Sequence, residues 1–478
     1  VKRSGLYLSI LATCLAAADA TAADDKAVAA CQKQENEART KCAAELVKAA
    51  KSMLAAKAVA EAREELRFAL QVAPDDAAAR AELAKLPAAA PATADAAAKK
   101  AAASQDAAHK ACKAHLESAL VAWNRAERAE EYARLATTLV GLFDESGDEA
   151  KKLELDWYEP YLAWARKKDV ARWEKGDEFV NGAWTDADKV KALDAAHADW
   201  KSPWIVGDGV HEVRTNMPLR AAKRVVEYVR NWRRFVTTYF AGEWEWKQPK
   251  GALPIYLTAT QDDYQERLKD YAPEMMRSKA SALYVQKTGG LCPVFVTFQP
   301  KDGRGATIDW PALFRDVRHE TAHQMLYESC MAQGAAVGGN IDWVSEGIAN
   351  FFGAYEPQQG KWTLGLHEAE PYANGTEPGS FAWTKTNFEK VPPLSKYFFD
   401  FKPNLDTVQD YWVATTLTYF LLLGENRRYR TSMVKLLTEV HMAKGGPKSF
   451  ASCFGAVDFA KMQDEWKSFV DGLVIEKK

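Results

Sequence analysis

The run Arg318-His319-Glu320-Thr321-Ala322-His323-Gln324-Met325-Leu326-Tyr327 contains the pattern His-Glu-x-x-His. On a helix, residues four apart lie about 40° from each other around the axis, so His319 and His323 share one face. Two imidazoles on one face can hold one zinc ion, and the adjacent Glu320 can act on a zinc-bound water. Trp310-Pro311 opens such a helix, since proline is tolerated in the first turn. Ala312, Leu313, Phe314, Val317, Ala322, Met325 and Leu326 give it apolar surface to bury. With eight His in 478 residues, chance alone produces this pair in roughly one such chain in a hundred. The competing reading is two unrelated histidines on an ordinary helix.

A catalytic zinc usually takes three protein ligands and keeps one open position. Glu346 lies downstream in Asp342-Trp343-Val344-Ser345-Glu346-Gly347-Ile348-Ala349-Asn350-Phe351-Phe352. Val344, Ile348, Phe351 and Phe352 give this stretch helical apolar spacing, and a carboxylate buried there must be paired or metal-bound. Residues 334–340, GAAVGGN, read as the loop that turns the second helix back on the first. Asn350, one turn after Glu346, is placed either to hold the second nitrogen of a zinc-binding histidine or to lie solvated at the surface.

HETAH followed by WVSEGIANFF resembles the gluzincins, the thermolysin-like zinc peptidases whose ligands are two His and one Glu. The likeness is greatest to their peptidase-MA-like branch and covers roughly residues 205–475. It implies His319, His323 and Glu346 as zinc ligands and Glu320 as general base. It also implies a donor to the tetrahedral oxyanion from the C-terminal helices, where Tyr411 matches by position. A core tyrosine is the other reading of Tyr411. The implied activity is peptide-bond hydrolysis with Zn2+ as cofactor. A gluzincin-fold module kept for binding, with its helical N-terminal region docking a protein partner, is the competing class, and zinc hydrolysis of a non-peptide substrate is a third.

The elements that must position these residues are legible upstream. Residues 210–215, 253–258, 282–286 and 293–298 read as strands, and 218–240 and 262–271 as helices. In folds of the resembled family, the sheet edge beside the zinc helix receives an extended peptide, which makes 282–286 or 293–298 the candidate edge. His211 on the first strand is a candidate outer residue of the site or a structural histidine. Residues 356–405 read as long loops around a cleft, with His367 among them. Helices are expected at 410–422, 429–439 and 458–472.

The expected class is therefore α+β. A catalytic domain over 204–478 combines a small mixed sheet, the zinc helices and a C-terminal helical part. Ahead of it, residues 23–86 are Ala-rich and helical, with a helix, a Pro74-Asp75 turn and a second helix that resemble a tetratricopeptide unit. Residues 87–104 read as an Ala/Pro-rich linker or a poorly packed helix, and 105–203 as helices, including one over 156–173, with a small hairpin at 173–184. His109 and His115, about 120° apart on a helix, read as solvated.

Lys2-Arg3, the apolar residues 6–18 and Ala20-Thr21-Ala22 read as an export signal over 1–22. A lipoprotein reading at Cys14 is weakened by the Thr before it. The expected location is secreted or periplasmic. No other run reaches membrane-spanning length. Six cysteines follow the signal, and a disulfide among Cys31, Cys42 and Cys112 is expected first. A net charge of −2 gives no electrostatic case for nucleic acid.

Overall fold

The computed structural model describes residues 4–87, 93, 95–144, 146–244, 246–273, 281–286, 292–297, 308–330, 342–359, 361–364, 379–399, 407–441 and 447–473. The chain is mixed α and β, and it divides into two compact units. The first holds residues 1–83, 92–159 and 163–187, and the second 84–91, 160–162 and 188–478. Among the described residues no helix is long and apolar enough to cross a membrane.

In the first unit the helix Ser4–Ala55 packs along Asp95–Arg125 and Val59–Val72. Cys31 and Cys42 lie on the same helix, so they cannot meet; Cys42 pairs instead with Cys112 across the packed helices, and Cys31 stays a buried thiol. The bond closes a loop of 70 residues. Its loss, by reduction or Cys42→Ser, is expected to destabilise this unit by about 4 kcal/mol. Urea unfolding with and without reductant measures that difference. A second tie is Glu35, fully buried, which accepts from both terminal nitrogens of Arg134 at 2.9 and 2.8 Å, from Arg39 and from Trp123 Nε1. Burial alone would raise its pKa, but the two guanidinium groups hold it down at about 2.

Three expectations for this region are corrected. Residues 87–104 are not a linker throughout: the helix Asp95–Arg125 starts within them, Ala101 is buried and Ser104 Oγ lies 3.2 Å from Ser52 Oγ. Alanine is the strongest helix former and is small enough to let helices pack closely. Residues 156–173 are not one helix. Leu155–Tyr158 pairs antiparallel with Ala163–Arg166, and the α-helix is confined to Lys167–Glu174. The aromatic side chains of this segment favour strands, and a short 3-10 turn, Glu159–Tyr161, interrupts it. His109 is not on a solvated face but stacks on Phe68 at 5.0 Å and meets Glu65. The hairpin of Glu178–Val180 and Ala183–Thr185 turns on Asn181 and Gly182, both at positive φ, as a tight two-residue turn requires.

The second unit begins near 188, ahead of the expected 204, because Asp194 belongs to its framework: Trp204 Nε1 and the Leu219 amide both donate to Asp194 Oδ1. Its sheet has the spatial order Trp204–Gly207, His211–Thr215, Leu253–Thr258, Val294–Thr297, Ala282–Tyr284. The outer pairs are antiparallel and the two inner pairs parallel. The helix Leu219–Tyr239 connects the first parallel pair and packs on the sheet. The edge strand is therefore Ala282–Tyr284, while Val294–Thr297 is interior and fully buried. Trp204–Gly207, not expected from the sequence, is the other edge.

Residues 356–405 are not simply loops: the described part holds the hairpin Tyr355–Gln358 with Lys361–Leu364, and the helices Ser380–Thr386 and Leu394–Phe399. Their aromatic residues explain this, since Phe381, Tyr397 and Phe398 are buried in the same core as Trp343, Phe351 and Phe420. Val408–Arg427, Arg430–His441, Pro447–Phe454 and Phe459–Gly472 complete the unit.

Candidate metal centre

The helix Trp310–Cys330 carries His319, Glu320 and His323, and Asp342–Gly353 carries Glu346. The first helix is pinned at several points. Gln324 Nε2 donates to Pro254 O and Cys292 O, fastening it to the sheet. Arg318, buried, donates to Gly353 O at 2.7 Å and to Tyr228 Oη, so one guanidinium joins it to the C-terminus of the Glu346 helix and to Leu219–Tyr239.

The second helix is set by Gly347. A β-carbon there would lie 2.2 Å from Thr418 Oγ1 and 2.7 Å from Ala414 O, so only glycine permits this approach to Val408–Arg427. That closeness lets Asn350 Nδ2 donate to Thr415 Oγ1 at 2.8 Å. Thr415 Oγ1 in turn donates to Tyr411 O, one turn earlier.

His319 Nε2 lies 3.2 Å from His323 Nε2 and 3.2 Å from Glu346 Oε2. His323 Nε2 lies 3.5 Å from Glu346 Oε1. Zinc bonds of about 2.0–2.1 Å in a tetrahedron put neighbouring ligand atoms about 3.3–3.4 Å apart. The trio has that spacing, and it is the only such His/Cys/Asp/Glu group among the described residues. On the far side of the ring, His319 Nδ1 meets Asn350 Oδ1 at 2.8 Å. Nδ1 donates there, since the amide oxygen accepts, and Nε2 keeps its lone pair for a cation.

Burial pulls His319 down, but the Glu346 and Glu320 carboxylates outweigh it and push the imidazole up to about 9. Burial would raise Glu346, yet His323 and His319 hold it well below the usual carboxylate range. A metal takes neutral imidazole and ionised carboxylate, so cation uptake at a raised His319 is accompanied by proton release. Glu320 is raised chiefly by burial, against the pull of both imidazoles. Its Oε2 accepts from the Tyr284 amide at 2.6 Å.

The structure thus brings His319, His323, Glu346 and Asn350 together and sets Glu320 beside them. Tyr411 is 37 % exposed and lies one helical turn before Thr415, on its face. His211 belongs elsewhere: it is fully buried, 2.7 Å from Arg233, and burial with that guanidinium lowers it to about 3. His367 and the 334–340 loop lie outside the described residues. Arg318, Thr415, Gly347 and the Tyr284 amide were not anticipated. Of these only Gly347 left a sequence signal, a glycine inside an apolar helical run.

Asn350→Ala is expected to weaken zinc binding by about 10–100-fold, because the His319 ring loses its orienting partner. Competition with a chelator of known affinity reads this directly.

A family model described as a protein of unknown function (DUF1570) matches residues 314–372, the stretch that contains His319, Glu320, His323 and Glu346. No curated protein matches the chain.

Proposed function

We propose that the second unit is a zinc peptidase of the gluzincin type. The observation that carries this reading is the triangle of His319 Nε2, His323 Nε2 and a Glu346 oxygen, whose sides suit a tetrahedral zinc. Zinc bound there would supply a Lewis acid and a water acidified to a pKa of about 7. Glu320 takes the proton of the attacking water and returns it to the leaving amine. Asn350 fixes the His319 ring. Tyr411, on the helix that holds Asn350 in place, is the proposed donor to the developing oxyanion.

The substrate class is a peptide or protein segment in extended form. The strand Ala282–Tyr284, last in the sheet among the described residues, supports this, since it lies against the His-Glu-x-x-His helix and a strand added there would pass Glu320. The Cys42–Cys112 bond supports an exported protein, because disulfides persist in oxidising compartments. The apolar segment at 6–18 supports the same location.

Zinc content and hydrolysis of labelled casein by the purified protein test the proposal together. One zinc per chain with casein turnover that chelation abolishes is the expected result. One zinc per chain with no turnover would instead assign a binding module.

A further inference from the structure

The register of the sheet edge shows where the general base is anchored. Ala282 stands opposite Val296 and Tyr284 opposite Val294. The Val285 amide donates to Pro293 O and the Thr297 amide to Ser281 O. In an antiparallel pair, alternate residues exchange both hydrogen bonds with the partner strand. Ser281, Leu283 and Val285 therefore face Val294–Thr297, and the main-chain groups of Ala282 and Tyr284 point away from it. One of those outward groups is already engaged, because the Tyr284 N–H donates to Glu320 Oε2 at 2.6 Å.

We infer that the Tyr284 amide is a positioning group for Glu320, fixing one carboxylate oxygen so that the other is aimed to carry the proton. The inference rests on the peptidase reading for its chemical consequence and on the hydrogen bond alone for its geometry. A glutamate side chain turns about three bonds and explores many orientations in solution. Tying Oε2 to a sheet amide removes most of them before substrate arrives, and misplacement by about 1 Å can cost about 100-fold in rate. The same bond restricts the edge. A strand added there cannot use the Tyr284 N–H.

Because the Tyr284 N–H points out of the sheet, proline at this position costs no ladder bond, as at other edge strands. Tyr284→Ala is the matched control: both variants lose the ring that stacks on His323 at 6.1 Å, but only proline loses the N–H. The full chain, zinc-loaded, is assayed on fluorescein-labelled casein, and amide exchange over residues 281–286 is followed by mass spectrometry. Tyr284→Pro is expected to keep its zinc, to change KM by less than about threefold and to have kcat about 100-fold below Tyr284→Ala. The Tyr284 amide is expected to exchange slowly in the wild type and fast in Glu320→Ala. Equal kcat in the proline and alanine variants, or equal exchange in wild type and Glu320→Ala, overturns the inference. Slow exchange in a zinc-loaded wild type that cleaves no casein upholds the anchoring of Glu320 and removes the peptidase reading instead.

Discussion

Glu320→Gln is expected to retain one zinc per chain and to lower casein turnover by about 1000-fold. The substitution is nearly isosteric. The amide oxygen of Gln can still accept from the Tyr284 N–H, which in the native chain bonds Glu320 Oε2. None of the three ligand atoms is touched, since these belong to His319, His323 and Glu346. What disappears is the carboxylate proposed to accept the proton of the attacking water. Zinc analysis with steady-state kinetics on one preparation distinguishes this from unfolding. Turnover within a few-fold of wild type would show that Glu320 is not the base.

Removing a ligand acts earlier. Glu346→Gln leaves His319 and His323 with no carboxylate between them, where each now lies within 3.5 Å of it. The loss of zinc affinity is expected to exceed the roughly 10–100-fold predicted for Asn350→Ala, because a bond to the ion itself is lost rather than the orientation of a ring. Stability gives a second readout. Zinc at about a thousand times its Kd stabilises the native state by about 4 kcal/mol, so the wild type should melt at higher temperature with zinc than with chelator. Glu346→Gln should show almost no such difference at the same zinc concentration. A variant that still melts with the full zinc-dependent shift would place the ion elsewhere.

The His319, His323 and Glu346 trio was legible because its signal is local. His319 and His323 share a face by helical spacing, and Glu346 sits in an apolar helix where a carboxylate needs a partner. The inner strands were legible for the same reason, since 253–258 and 293–298 are short apolar runs bounded by turn residues. What could not be read were contacts between distant segments. Arg318 meets Gly353 and Tyr228, and Asn350 meets Thr415 across 65 positions of sequence. No spacing rule announces such pairs. The Tyr284 amide was hidden more deeply, for a main-chain donor has no side chain to flag it.

The misreadings have local causes too. The segment at 156–173 has residues that fit a helical pattern, but the 3-10 turn Glu159–Tyr161 and the Trp157–Trp164 pairing turn it into a hairpin. The Ala-rich stretch after 87 reads by composition as a linker or a poorly packed helix, yet Ala101 and Ala108 are buried where Asp95–Arg125 packs within the first unit. Aromatic residues between 380 and 399 were read as cleft loops, whereas Phe381 and Phe398 lie deep in the core. In the last two cases composition pointed away from the core, and packing against a distant element decided otherwise.

X-ray absorption at the zinc edge on the purified, zinc-loaded chain tests the central claim most directly. Four light scatterers at about 2.0–2.1 Å are expected, two of them showing the outer-shell pattern of imidazole, with the signal lost in Glu346→Gln. Sulfur at about 2.3 Å, or a zinc that survives removal of Glu346 with its spectrum unchanged, would contradict a centre built from His319, His323 and Glu346.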